Sequence, residues 1–209
     1  MSRDLTQVLL NAAHTNDIEL GDDQASTLIN YLTLLQKWNG THNLTAITST
    51  SEMLSKHLID SLSIARNWPK GKTLDVGSGA GLPGIPLAVV NPTYSFTLVD
   101  ASHKRVAFLR EVCRVLQLAN VTPEHARVEN LTASKYDVIT CRAFSSLSDF
   151  IAKTKHLIAD NGRWLAMKGV YPTEELAVLD TDQYLIDVQT IPLVDESFER
   201  HLVDIRQKQ

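Results

Sequence analysis

The residues best placed to do chemistry lie in one short run, Leu74-Asp75-Val76-Gly77-Ser78-Gly79-Ala80-Gly81-Leu82-Pro83-Gly84. A strand-like segment enters glycines 77, 79 and 81, and a helix pattern resumes at residue 84. Glycines accept positive φ and let a ligand lie against bare main chain. The open N–H groups of the helix start favour an anionic group. Asp100 closes the next strand-like run, Ser95–Val99. A carboxylate there suits the two hydroxyls of a ribose, or the N-cap of the helix that follows. Asp75, just before the loop, either faces a ligand or caps the loop amides.

Two cofactor classes compete for this pattern. Gly79-x-Gly81-x-x-Gly84 spells a dinucleotide fingerprint and would make the chain an NAD-dependent oxidoreductase. The strand has already ended at Gly77, however, so that frame starts two residues late. A carboxylate at Asp75 repels a pyrophosphate but suits an ammonium group. S-adenosylmethionine carries an amino cation, a carboxylate and no phosphate. A third reading is a non-catalytic nucleotide-sensing or ribosome-binding protein that keeps a cofactor fold.

Arg142 falls at the carboxyl end of a later strand, on the same edge. It can bind a carboxylate, hydrogen-bond a base, or form a structural ion pair. Its neighbour Cys141 reads as a buried thiol, and Phe144 as either a base-stacking ring or a core aromatic. His57 and Asp60 lie one helical turn apart and either touch RNA or lock the first helices onto the rest. No histidine has metal-ligand spacing, so no metal is expected. His103, Lys104, Arg105, Arg110 and Arg114 share one helix, as a phosphate-binding face or a solvated one. Lys153, Lys155, Arg163 and Lys168 are further cations, with Lys168 at a strand end on the ligand side.

The elements that must position these groups follow from periodicity. Apolar spacing predicts helices over 22–39, capped by Asp22 or Asp23, and over 52–66, opened by a Ser49-x-x-Glu52 capping box. Residues 4–14 are a weaker helix. After Asn67-Trp68-Pro69-Lys70-Gly71, strands at 73–76, 95–99, 121–125, 136–141 and 162–167 alternate with helices at 84–91, 103–118, near 146–159 and at 173–180. Strands at 184–191 and 201–206 have no long helix between them, so the sheet is mostly parallel with an antiparallel finish.

The 209 residues, 44% hydrophobic and 21% charged, are ordinary globular composition. A chain of this length buries roughly 70% of its unfolded surface without a disulfide or metal. The formal charge of −4 announces no nucleic acid, and does not exclude a local basic patch. Two separated cysteines, no signal-like start and no long apolar run make a cytoplasmic protein the expectation.

Asp75-Val-Gly-Ser-Gly-Ala-Gly-Leu-Pro-Gly-Ile-Pro together with Leu98-Val-Asp-Ala-Ser-His-Lys-Arg-Val-Ala-Phe-Leu-Arg resembles the RsmG (GidB) family, bacterial methyltransferases of a guanine N7 in 16S ribosomal RNA. The likeness extends to Lys37-Trp38-Asn39, Asn43-Leu44-Thr45, His57-Leu-Ile-Asp-Ser-Leu62, Arg127-Val-Glu129, Cys141-Arg-Ala-Phe, Met167-Lys-Gly169 and Glu199-Arg-His-Leu202. It implies a class I, Rossmann-like α/β methyltransferase: a mostly parallel seven-stranded sheet with an antiparallel last strand. It also implies a small N-terminal helical domain (1–70) before the cofactor-binding domain (71–209). By that likeness Gly77, Leu82, Val128, Glu129 and Arg142 would line the S-adenosylmethionine site, with Asp100 on the ribose and 128–129 beside the adenine; the loop pattern adds Asp75, Gly79 and Gly81, and Arg142 is also the expected catalytic residue. The substrate would be the small ribosomal subunit, met by a monomer. Class I enzymes acting on exocyclic amines often carry Asn/Asp-Pro-Pro-aromatic after the fourth strand; here that place reads Thr140-Cys141-Arg142-Ala143-Phe144. Guanine N7 fits that absence, because its ring lone pair needs no deprotonation.

Overall fold

A computed structural model describes residues 2–132, 135–193 and 199–208. Two helices open the chain, α1 (Ser2–Thr15) and α2 (Asp22–His42). Gly21, not Asp22 or Asp23, is the N-cap of α2, and its N–H donates to Gln24 Oε1 at 3.0 Å. The two aspartates occupy the first turn, where the helix dipole favours negative charge. The stripe Leu28, Tyr31, Leu32 and Leu35 is buried as the spacing indicated. The helix runs on to His42, and Asn43 terminates it in the left-handed region at φ 48°. Gly40 stands apart: it is exposed, and a Cβ built on it would meet no atom within 4 Å. A helical glycine costs about 1 kcal/mol relative to alanine, and no neighbour explains this one.

The expected helix over 52–66 is broken into α3 (Thr50–Met53), a π-helical stretch Leu54–Ile59 and α4 (Asp60–Leu62). Leu54, Leu58 and Leu62 are buried all the same, so apolar spacing alone gives no sign of the wider turn. Ser49 is the N-cap, but the capping box does not form. Ser49 Oγ pairs with Ser51 Oγ at 2.9 Å, and Glu52 is taken by Lys56 at 2.8 Å.

Seven strands make one sheet: β1 (Lys72–Val76), β2 (Ser95–Asp100), β3 (Val121–His125), β4 (Tyr136–Arg142), β5 (Ile158–Lys168), β6 (Tyr184–Thr190) and β7 (His201–Gln207), in the order β3-β2-β1-β4-β5-β7-β6. Pairing is parallel from β3 through β5, and β7 runs antiparallel to both of its neighbours. That is the sheet the resemblance implied. Pro123 is tolerated because β3 is an edge strand. Between the strands lie α5 (Gly84–Val90), α6 (His103–Leu116), α7 (Leu147–Thr154) and α8 (Thr173–Ala177). Pro86 falls in the first turn of α5, where its missing N–H costs nothing. The helix expected near 146–159 stops at Thr154, and β5 begins at Ile158 rather than Gly162. Gly162 lies within β5, where a Cβ would come within 2.9 Å of both Ile158 Cδ1 and the Tyr136 carbonyl oxygen. The glycine that looked like a strand boundary therefore serves a close approach inside a strand.

One apolar cluster joins α1, α2 and the 53–64 segment to α5, α6 and one sheet face, reaching Met167. A second lies on the other face around Val76, Ile139, Trp164 and Phe150. The strand order reverses between β1 and β4, which opens a crevice at their carboxyl ends.

Candidate cofactor site

In that crevice lies a cavity of about 310 Å³. Gly77, Asp100, Val128 and Glu129, named from sequence, all line it. Arg105, Arg127, Phe144 and Lys153 complete much of its wall. The last four had not been placed there by spacing. Arg105 and Lys153 had been read as cations, Phe144 as a stacking ring or a core aromatic, and Arg127 as part of the family likeness.

The three loop glycines do different jobs. Gly77, at φ +66°, has Phe144 lying against it, and a Cβ would come within 2.7 Å of that ring. Phe144 is half-buried, meets Phe150 edge-on at 6.3 Å, and lies 5.6 Å below Lys153 Nζ. It is thus a wall of the cavity anchored on the core. Gly79, at φ +57°, has only the Gly77 carbonyl oxygen near its missing side chain, at 3.8 Å, so its main chain is bare. Gly81, at φ +96°, faces the other way, where a Cβ would meet Ile85 and Leu109 at 2.6 and 2.9 Å. It and the buried Leu82 press the loop onto the core. Tyr31 of α2 clamps the loop from above, its hydroxyl donating to the Ala80 carbonyl at 2.7 Å.

The carboxylates divide as well. Asp100 is 5% exposed on the cavity wall. Its Oδ1 accepts from Ser102 N at 2.8 Å; its Oδ2 accepts from Gly79 N at 3.0 Å and from Arg105 Nη1 at 3.3 Å. The N-cap of α6 is Ser102, not Asp100; Asp100 fixes Ser102 N and holds the glycine loop at once. Asp75 is wholly buried beneath the loop and is not among the cavity-lining residues. Its Oδ2 accepts from Gly84 N at 3.0 Å, and its Oδ1 has no partner among the described residues. Burial pushes its pKa up to about 7, against the pull of the Gly84 N–H and of Arg142. This carboxylate fills the N-terminus of α5, where a dinucleotide would need its pyrophosphate. The Gly79-to-Gly84 frame therefore has no open anion site.

Arg142 does not line the cavity. Its Nη1 donates to the Lys56 carbonyl and to Asp60 Oδ2, each at 2.9 Å. Asp60 is fully buried and is also bracketed by Arg200 through Nε and Nη2. Buried His57 sets Nε2 3.0 Å from Thr45 Oγ1. Burial, then the Arg142 charge, lower its pKa to about 4, so it is neutral near pH 7. Asp60 forms the lock between the helical cover and the sheet, while His57 bonds within the cover. Lys168 ties down the loop after β4, donating to the Ser145 carbonyl at 3.1 Å and to both Glu175 oxygens at 2.8 and 2.9 Å. Glu175 Oε2 in turn accepts from Leu147 N.

Cys141 is buried and its thiol is raised, so it supplies no thiolate. The cations of α6 are mostly committed. Arg114 pairs with Glu111, Lys104 donates to the His42 carbonyl at 2.9 Å, and Arg105 turns inward. Among the described residues no cluster of His, Cys, Asp and Glu is arranged to hold a metal, and no helix is long and apolar enough to cross a membrane.

Residues 24–203 match the profile of a family described as GidB, rRNA small subunit methyltransferase G. Similar proteins of that name include one from Chromobacterium violaceum, 47% identical over 188 residues, covering 89% of this chain and 90% of the relative. Another, from Stutzerimonas stutzeri, is 44% identical over 214 residues, covering 99% and 97%. Among solved structures, an rRNA methylase from Streptococcus thermophilus aligns with a TM-score of 0.51 at 15% identity over 67% of this chain and 88% of its own. A ribosomal protein L11 methylase from Lactobacillus delbrueckii aligns at 0.54 and 16% over 79% and 81%. These distant structures share the methyltransferase fold.

Proposed function

The chain belongs to the rRNA small subunit methyltransferase G family, and from that premise we propose that its cavity holds S-adenosylmethionine and that it methylates N7 of a single guanine in 16S rRNA. The observation that carries this reading is the bare main chain at Gly79 hydrogen-bonded to a buried carboxylate, Asp100, at the cavity wall. Each carboxylate oxygen has two acceptor lone pairs, and Asp100 Oδ1 uses one of them on Ser102. Asp100 thus keeps capacity for a ribose hydroxyl, with the 3.3 Å contact to Arg105 the weakest to displace. Val128 and Glu129 flank the adenine. Gly77, Gly79, Gly81 and Leu82 shape the loop around the cofactor. Asp75, beneath the loop and outside the cavity lining, serves the cofactor by holding that loop through Gly84 N.

When bound, the cofactor supplies a methyl group on a sulfonium. The chain's part is positioning. Guanine N7 keeps its own lone pair, so no side chain needs to remove a proton, and alignment of the reacting atoms carries the rate. Arg142 is the residue assigned to that alignment. Its Nε and Nη2 have no partner among the described residues and can take a carboxylate or the guanine O6.

The helical cover (1–70) and the sheet domain (71–209) would meet a folded small ribosomal subunit, in the cytoplasm and as a monomer. A chain of charge −4 binds free RNA weakly, so a structured particle supplies much of the recognition. The test is incubation with labelled cofactor and undermethylated small subunits, followed by mapping. One modified guanine N7 is expected. Failure of transfer, or methylation at an amine, overturns the reading.

A further inference from the structure

A second hollow, of about 720 Å³, opens between the end of α2 and the 43–50 loop. Met53, buried at 1% exposure, and Ala46 are the apolar side chains among its lining. Its walls are amides and hydroxyls: Gln36, Asn39, Asn43, Thr45 and Thr48. Among the described residues it is lined by no charged side chain. Several of these groups are unspent. Asn39 is nine-tenths buried and uses Oδ1 on Thr45 N, leaving Nδ2 without a partner among the described residues. Gln36 spends Nε2 on Thr50 and keeps Oε1. The Asn43 amide and Thr48 hydroxyl make no side-chain hydrogen bond among the described residues.

Gly40 lies on the rim, in a helix, with empty space where its side chain would be. The conformation does not call for glycine, and the packing does not either. A local choice that works against helix stability with no internal reason marks a place kept clear for something else. Neutral walls disfavour a phosphate or an amine as the occupant. Two apolar side chains set among mixed donors and acceptors match an unpaired nucleobase, whose face is apolar and whose edges are polar.

A chain of contacts links the hollow to the carboxyl ends of the strands that bound the cofactor cavity. Thr45 contacts His57, whose neighbour Lys56 accepts from Arg142 at the end of β4. Lys104, four residues past Asp100, reaches the carbonyl of His42. We propose that the Gly40 hollow receives an unpaired base of the substrate RNA, separate from the base that is methylated. This rests on the rRNA methyltransferase reading above.

The test fills the hollow without touching the cofactor cavity. In Gly40→Leu, the KM for undermethylated small subunits should rise about tenfold, the size expected for one lost base contact. S-adenosylhomocysteine affinity should stay within twofold of wild type, and the melting temperature should not fall. Gly40→Ala, which a helix welcomes, should rise about threefold in KM and serves if leucine disturbs the fold. Unchanged KM in a folded, cofactor-binding Gly40→Leu or Gly40→Ala protein overturns the proposal. Wild-type protein that methylates no subunits at all instead overturns the functional reading it rests on.

Discussion

Asp100 and Asp60 are both nearly inaccessible carboxylates near the carboxyl edge of the sheet, yet they are satisfied in opposite ways. Asp100 is held mainly by main-chain amides, Gly79 N and Ser102 N, which leave acceptor capacity facing a cavity. Asp60 is held by two guanidinium groups, from residues 82 and 140 positions away in sequence. Amide-held, a carboxylate can still receive a ligand. Guanidinium-held, it closes a joint between distant segments. The first arrangement leaves acceptor capacity at a cavity wall, and the second closes a joint.

The strongest way to break this contrast is Asp60→Ala. It leaves two largely buried arginines facing no anion and should cost roughly 3–5 kcal/mol in urea unfolding. A loss under about 1 kcal/mol would mean that the joint is held by apolar packing instead. Asp100→Ala should act on the ligand more than on the fold. S-adenosylhomocysteine affinity, by calorimetry, should drop at least about tenfold, since hydrogen bonds to charged groups are worth ~1.5–3 kcal/mol. Stability should fall by only about 1 kcal/mol for the lost bonds to Ser102 N and Gly79 N. Equal damage to stability in both variants erases the distinction.

Two smaller effects sharpen it through pH. Asp75 has its folded pKa raised to about 7 from 3.8, so its protonated form belongs to the fold. Its stabilising contribution is complete below pH 3.8 and lost as pH rises through 7. Asp75→Asn should therefore be more stable than wild type at pH 8, by about 2 kcal/mol, with the advantage gone at pH 4. His57 is lowered to about 4 from 6.5, so its stability is intact above pH 6.5 and lost as pH falls through 4. His57→Gln should remove that acid limb, a gain of about 1 kcal/mol at pH 5 relative to wild type. In the native protein the two slopes oppose each other between pH 4 and 6.5. Each variant should unmask the other's slope in melting curves across that range.

The sequence made the open region far more legible than the shut one. The glycines, Asp75 and Asp100 sit within 26 consecutive positions, and strand and helix periods around them are local signals. Val128 and Glu129 were reached only through the family likeness, and both line the cavity. Partner choice for Asp60 was not legible, because apolar spacing says nothing about which guanidinium arrives from another strand. The π-helical stretch was hidden for a related reason: its leucines bury in either helical form. The opening of β5 was masked by Gly162, which serves a cross-strand contact instead of a turn. The Gly40 hollow depends on a space that exists only once α2 and the 43–50 loop have docked.

Tyr31 and Gly40 ride on the same helix, nine positions apart. At 1.5 Å per residue, α2 sets them about 14 Å apart along its axis. The helix then acts as a ruler between the glycine loop and the second hollow. A single-residue insertion between 32 and 39 would swing everything beyond it by about 100°, whereas one in the 91–94 turn would leave that measure untouched.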